Sequence, residues 1–118
     1  MRTLELEHEL EVTATAVRVT ETDLFVEFED GRNLSVPVAW YPRLVHGSMK
    51  ERQNFEIGAF GIHWPDLDED ISYRGLLLGR RSAESSESLK FWLDATRKGK
   101  HVTLMDFVKA KRKTKKHK

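Results

Sequence analysis

The chain has 118 residues, of which 33% are charged and 39% hydrophobic, and it has no cysteine. That length suits one domain with a modest core, and the lack of thiols excludes a disulfide framework, a Cys-ligated zinc and a thiol nucleophile. The net charge of +1 hides a division: residues 1–96 hold 10 Lys or Arg against 18 Asp or Glu, a balance of −8, whereas residues 97–118 hold 10 against one, a balance of +9. No apolar run approaches the roughly 18 residues that cross a bilayer. The opening Met1–Glu7 alternates charged and apolar residues, unlike a signal peptide. A cytoplasmic protein with no membrane contact is the expectation.

In chain order, residues 1–12 read as an N-terminal arm, and Val12 to Glu21 as a first strand with Val17 and Val19 on one face. Leu24, Val26 and Phe28 alternate with polar residues, as do Leu34 and Val36, and Asp30-Gly31 between them signals a hairpin. A two-residue loop would pair Val26 with Ser35 and split the apolar residues between faces. A three-residue loop, Glu29-Asp30-Gly31, pairs Val26 with Leu34 and Leu24 with Val36 and keeps one face apolar, with Gly31 in the left-handed position. Pro37 cannot donate to a ladder, so its strand ends there or lies at an edge.

Pro42 opens a short helix that Gly47 closes, and Ser48-x-x-Glu51 has the spacing of a capping box for a second helix through Phe55. Gly61 to Trp64 reads as a short strand stopped by Pro65. Asp68, Glu69 and Asp70 are residue types that favour a helix N-terminus, so a helix from about Ile71 to Leu78, closed by Gly79, is expected. After a polar connector, Ser88 to Lys98 reads as a helix with Leu89, Trp92, Leu93 and Thr96 on one stripe and Gly99 as its stop. A short last helix is expected from Thr103, placing Leu104, Phe107 and Val108 together, and a loose basic tail from Lys109.

Several of these segments resemble a known family. They are Phe28-Glu29-Asp30-Gly31-Arg32, Leu34-Ser35-Val36-Pro37, Trp40-Tyr41-Pro42-Arg43-Leu44, Glu51-Arg52-Gln53-Asn54-Phe55-Glu56, Gly61 to Ser72, and Gly75-Leu76-Leu77. In this order and spacing they resemble the bacterial family called domain of unknown function 2442, over about Thr13 to Gly79. The resemblance implies a small α+β domain with no established enzymatic activity. Some members carry a helix-turn-helix domain after this unit, and some are encoded beside small proteins in toxin–antitoxin-like pairs. Here 39 residues follow Gly79, short for a complete repressor-type domain.

Candidate chemistry is sparse. Asp66-x-Asp68-x-Asp70 begins like a calcium loop, but Ile71 and Leu77 stand where such a loop takes glycine and glutamate. Helix capping is the plainer role for these acids. His63 has Asp66 and Asp68 near it in sequence but no nucleophile motif, so a hydrogen-bonded structural histidine is expected and no catalytic, cofactor-binding or metal-binding residue is assigned. Trp40, Tyr41, Phe55, Phe60 and Trp64 form an aromatic-rich middle expected in the core or its rim. Trp40 and Tyr41, with Asp66, Asp68 and Glu69, make a candidate partner-facing patch. Lys109, Lys111, Arg112, Lys113, Lys115, Lys116 and Lys118 are candidates for non-specific phosphate contact. A helix-turn-helix built from Ser88–Lys98 and Thr103–Lys113 has a suitable turn, but its second helix is basic at the end that does not read bases.

The residues together specify an α+β fold: a small antiparallel sheet with short helices on one face, and a helical C-terminal extension. The expected organisation is an α+β domain over residues 13–79, a connector and helical extension over 80–108, and a basic tail over 109–118. The expected function is a non-enzymatic binding or regulatory module with a protein partner and no cofactor, in the manner of the antitoxin-like half of a pair. The alternative is a nucleic-acid-binding accessory protein using the tail.

Overall fold

A computed structural model describes residues 11–82, 84–99 and 109. The chain divides into two compact units between Ser82 and Ala83. The first contains two three-stranded antiparallel sheets and three short helices, so the α+β class holds, with two sheets where one was expected.

Sheet one comprises β1 (Ala14–Val19), β2 (Asp23–Phe28) and β3 (Asn33–Pro37), in that order. β1 is shorter than the 12–21 reading. Thr15 is an extra residue opposite the Glu27–Phe28 step, a bulge that restarts the alternation. The β2–β3 hairpin has the three-residue register: Leu24 faces Val36, Val26 faces Leu34, and Gly31 has φ +91°. A one-residue slip would turn Leu24, Val26 and Phe28 outward, and all three are buried. Pro37 ends β3, which is an edge strand.

A 3-10 turn (Val38–Trp40) leads into α1 (Pro42–His46), with proline at its first position. α2 (Met49–Gln53) opens with the expected capping box: Ser48 Oγ accepts from the Glu51 amide at 3.1 Å, and Glu51 Oε1 accepts from the Ser48 amide at 2.8 Å. It stops at Gln53, two residues short of Phe55, whose ring packs at 6.0 Å on Trp64.

Sheet two comprises β4 (Glu56–Ile57), β5 (Gly61–Trp64) and β6 (Glu69–Ser72). Here the expected helix N-terminus at Asp68–Asp70 gives way to a hairpin. Residues 65–68 form the turn, with Asp68 at φ +47°, and the strand that follows sets Ile71 opposite Ile62. Burying Ile71 in the core outweighs the local preference of three acids for a helix start. The helix cap is instead Ser72, whose hydroxyl accepts from the Gly75 amide at 2.9 Å, and α3 runs Tyr73–Leu77. Gly79, at φ +71°, closes it as expected.

The inner face of sheet one, Ile62, Trp64 and Ile71 of sheet two, and Leu44, Leu67, Tyr73 and Leu76 make a common core. Tyr73 meets Phe28 edge-on at 5.8 Å, which ties α3 to sheet one.

The described part of the second unit is α4 (Ser86–Arg97). It starts two residues before the expected Ser88, because Ser85 is the cap and accepts from the Ser88 amide at 3.1 Å. Ser88 and Trp92 are its buried residues, Leu89 and Leu93 are half-buried, and Thr96 is exposed, bonding back to the Trp92 carbonyl at 2.8 Å. Gly99 has φ +74°. The expected helix from Thr103, and with it the second half of the helix-turn-helix reading, lies outside the described residues.

Candidate functional site

Phe60 is 88% exposed, yet the backbone that carries it is held on all sides. Within the β4–β5 hairpin, the Gly58 amide donates to the Gly61 carbonyl at 2.8 Å. The Phe60 carbonyl accepts from the Tyr73 amide at 3.0 Å, and the Gly58 carbonyl from the Tyr73 hydroxyl at 2.6 Å. Thr13 Oγ1 donates to the Ala59 carbonyl at 3.2 Å. Burying a phenylalanine side chain is worth about 1.5–3 kcal/mol, and here that stabilisation is left unrealised on a fixed backbone. Among the described residues the Phe60 ring has no aromatic or cationic partner. Another phenylalanine on an outer face differs: Phe25 on sheet one has the Arg18 guanidinium 4.3 Å from its ring centre.

Strand pairing explains the surface beside Phe60. Glu56 lies opposite His63, and His63 opposite Asp70, so three ionisable side chains form one row across the outer face of sheet two. His63 Nδ1 is 2.8 Å from Asp70 Oδ1, and the Asp70 side chain is 76% exposed. The neighbouring row is Gly58, Gly61 and Ser72, where two residues contribute no side chain. Gly61 has no room for one, because a Cβ there would come 2.5 Å from the Ile71 carbonyl oxygen. The result is a groove of about 380 Å³ floored by glycine, with Phe60 at one side and the Glu56–His63–Asp70 row at the other.

The candidate patch from the sequence lies elsewhere: Tyr41 is buried, Trp40, Asp68 and Glu69 are half-buried, and Asp66 is exposed. Tyr41 is 4% exposed, too deep to meet a partner: its hydroxyl donates to the Arg80 carbonyl at 3.2 Å. Burial, assisted by the negative charge of Glu69, pushes its pKa up to about 12. Trp40 is half-buried, with the Arg81 guanidinium 4.8 Å from its ring centre. Asp66 accepts from Asn54 Nδ2 at 2.9 Å. The Asp68 carboxylate is 3.7 Å from Arg43, and Glu69 Oε1 accepts from the Asp70 amide at 3.0 Å on the free edge of β6. Of the tail residues only Lys109 falls within the described residues, where it is exposed; Lys111, Arg112, Lys113, Lys115, Lys116 and Lys118 lie outside them.

Two buried arginines escaped the sequence reading. Arg43 donates through Nη1 to the carbonyls of Leu67 and Asp68 at 3.1 and 3.3 Å, fixing the β5–β6 turn. Arg52 donates to the carbonyls of Leu44, Val45, Thr20 and Glu21. Its own carbonyl accepts from the Trp64 indole at 2.9 Å. His63 pairs with Asp70 across the strands, not with Asp66 or Asp68. Phe60, expected in the core or its rim, is outside it; the glycines at 58 and 61 were the available signal. Among the described residues no group of three or more His, Asp or Glu side chains has the arrangement of a metal site, and no helix is long and apolar enough to cross a membrane.

Residues 14–82 match the family described as "Protein of unknown function (DUF2442)". Among solved structures, the chain is similar to a protein of unknown function from Rhodospirillum rubrum ATCC 11170, at 27% identity and a TM-score of 0.56, covering 63% of this chain and 94% of that one. It is also similar in fold to the uncharacterised protein CV0863 from Chromobacterium violaceum, at 21% identity and a TM-score of 0.56, covering 80% of this chain and 85% of that one. The comparison with curated proteins gave no match.

Proposed function

We propose that this chain, which belongs to the DUF2442 family of proteins of unknown function, is a non-enzymatic protein-binding module of the cytoplasm, the regulatory half of a protein pair in the antitoxin-like sense. The observation that carries this reading is Phe60: an aromatic side chain 88% exposed on a hairpin pinned by Thr13 and Tyr73. Exposed aromatics on preorganised backbone are the usual anchors of interfaces, because little conformational entropy is lost when they dock. The groove alongside supplies the concave surface that such an anchor borders.

The test is photocrosslinking in the native host, with benzoylphenylalanine replacing Phe60 in one strain and Lys50, an exposed residue of α2, in another. One defined protein joined through position 60 and absent from position 50 is the expected result. No adduct at 60, or the same adducts from both positions, overturns the proposal.

A further inference from the structure

The chemistry of the groove narrows what it receives. The Glu56 carboxylate makes no hydrogen bond or ion pair among the described residues, and the Asp70 side chain, bonded to His63 through Oδ1, is still 76% exposed. Adjacent strands lie about 4.8 Å apart, so these two carboxylates stand at the two ends of the row along one side of the groove, roughly 10 Å apart. Phe60 presents an aromatic ring with no aromatic or cationic partner among the described residues, at the other side of the groove. A groove with an aromatic face at one side and carboxylates at the other suits one side chain best. Arginine lays a planar cation on the ring or binds a carboxylate through its fork of N–H groups, and its aliphatic stem covers apolar surface. Lysine supplies a point charge without the fork, an acidic segment meets repulsion, and a purely apolar one desolvates both carboxylates and leaves that of Glu56 without a partner. Among the described residues the same stacking occurs at Arg18 on Phe25 and at Arg81 on Trp40; at Phe60 the ring is supplied and no described residue supplies the cation.

We infer that the groove between Phe60 and the Glu56–His63–Asp70 row docks an arginine-bearing apolar segment of a partner protein. Arginine side chains of that segment stack on Phe60 at one side and pair with Asp70 or Glu56 at the other, and the backbone passes over the glycine floor. The inference rests on the protein-binding function proposed above and specifies its partner's chemistry.

The probe is the blocked tetrapeptide acetyl-Leu-Arg-Leu-Arg-amide, titrated into the ¹⁵N-labelled full-length chain. Amide shifts confined to residues 56–63 and 70–72 are expected. The lysine peptide should bind several-fold more weakly, and the glutamate peptide should not bind. Phe60→Ala, and separately Glu56→Gln with Asp70→Asn, should each weaken the arginine peptide about tenfold, and added salt should weaken it further. Shifts located elsewhere, or binding unchanged by either variant, overturn the inference. The two proposals fail separately. If crosslinking at position 60 gives a defined partner whose joined segment lacks arginine, the binding function stands and this inference falls. If crosslinking gives none, the function itself falls.

Discussion

The guanidinium of Arg52 caps the end of α1: its Nε donates to the Leu44 carbonyl at 2.6 Å, and Nη2 to the neighbouring Val45 carbonyl at 3.0 Å. The last carbonyls of a five-residue helix have no partners within it, and an arginine eight positions on supplies them. The same side chain reaches back through Nη1 to the turn between β1 and β2. It is only 8% exposed.

Arg52→Ala should therefore cost about 3 kcal/mol in urea unfolding, since several buried carbonyls lose their donors together. Arg52→Lys should cost at least half as much, because one ammonium cannot span both helix end and turn. The acceptors are carbonyl dipoles, so the loss should be nearly the same at low and at high salt, unlike that of an exposed ion pair.

Phe60→Ser should leave the unfolding midpoint within the experimental spread, since an 88%-exposed ring contributes little to the core. Trp64→Ala, removing a fully buried side chain whose indole donates to the Arg52 carbonyl, should cost about 3–5 kcal/mol. Equal effects of the two changes in thermal melts would contradict the placement of Phe60.

Gly61→Ala places a Cβ 2.5 Å from the Ile71 carbonyl oxygen, a backbone atom that cannot swing aside. The expected cost is about 1–3 kcal/mol from overpacking, with amide shifts spreading along β5 and β6. Gly31→Ala meets no neighbour and is strained only through its positive φ, so its shifts should stay within the β2–β3 turn.

Alkaline unfolding should be governed in part by Tyr41. Its folded pKa of about 12 lies above the ordinary value of 10, because burial and Glu69 disfavour the phenolate. The unfolded chain thus gives up this proton first as pH rises. The stabilisation is intact below about pH 10 and is lost between there and about pH 12. Tyr41→Phe should flatten the stability profile across that window while lowering stability below it, through loss of the bond to the Arg80 carbonyl. Denaturant titrations at pH 8, 10 and 11 check both signs.

Much of sheet one was legible because the two candidate registers of the hairpin differ in a way that burial decides: only one keeps Leu24, Val26, Leu34 and Val36 together. Pro42 and the Ser48–Glu51 box were legible for a related reason, since their partners lie within three residues. Sheet two was not. Whether Asp68-Glu69-Asp70 starts a helix or a strand depends on Ile62, nine residues before Ile71, and on Arg43, whose donors hold the intervening turn. The site suffered most from this distance effect. Composition marks Phe60 as a core residue; only the positions of Thr13 and Tyr73 reveal that the hairpin is held with its ring outward. His63 was singled out, but its partner lies across the strands at Asp70 and not beside it in sequence.

The bond from the Asp70 amide to Glu69 Oε1 has a consequence for how copies of the protein behave in a crowded solution. β6 is the last strand of its sheet, and an open row of amides there is a template on which another chain can add a strand. Glu69 occupies one of those donors with its own carboxylate and sets a negative charge along the rim. A strand arriving from a second molecule meets an occupied donor and like charge, so strand addition at the β6 edge is disfavoured at its first step.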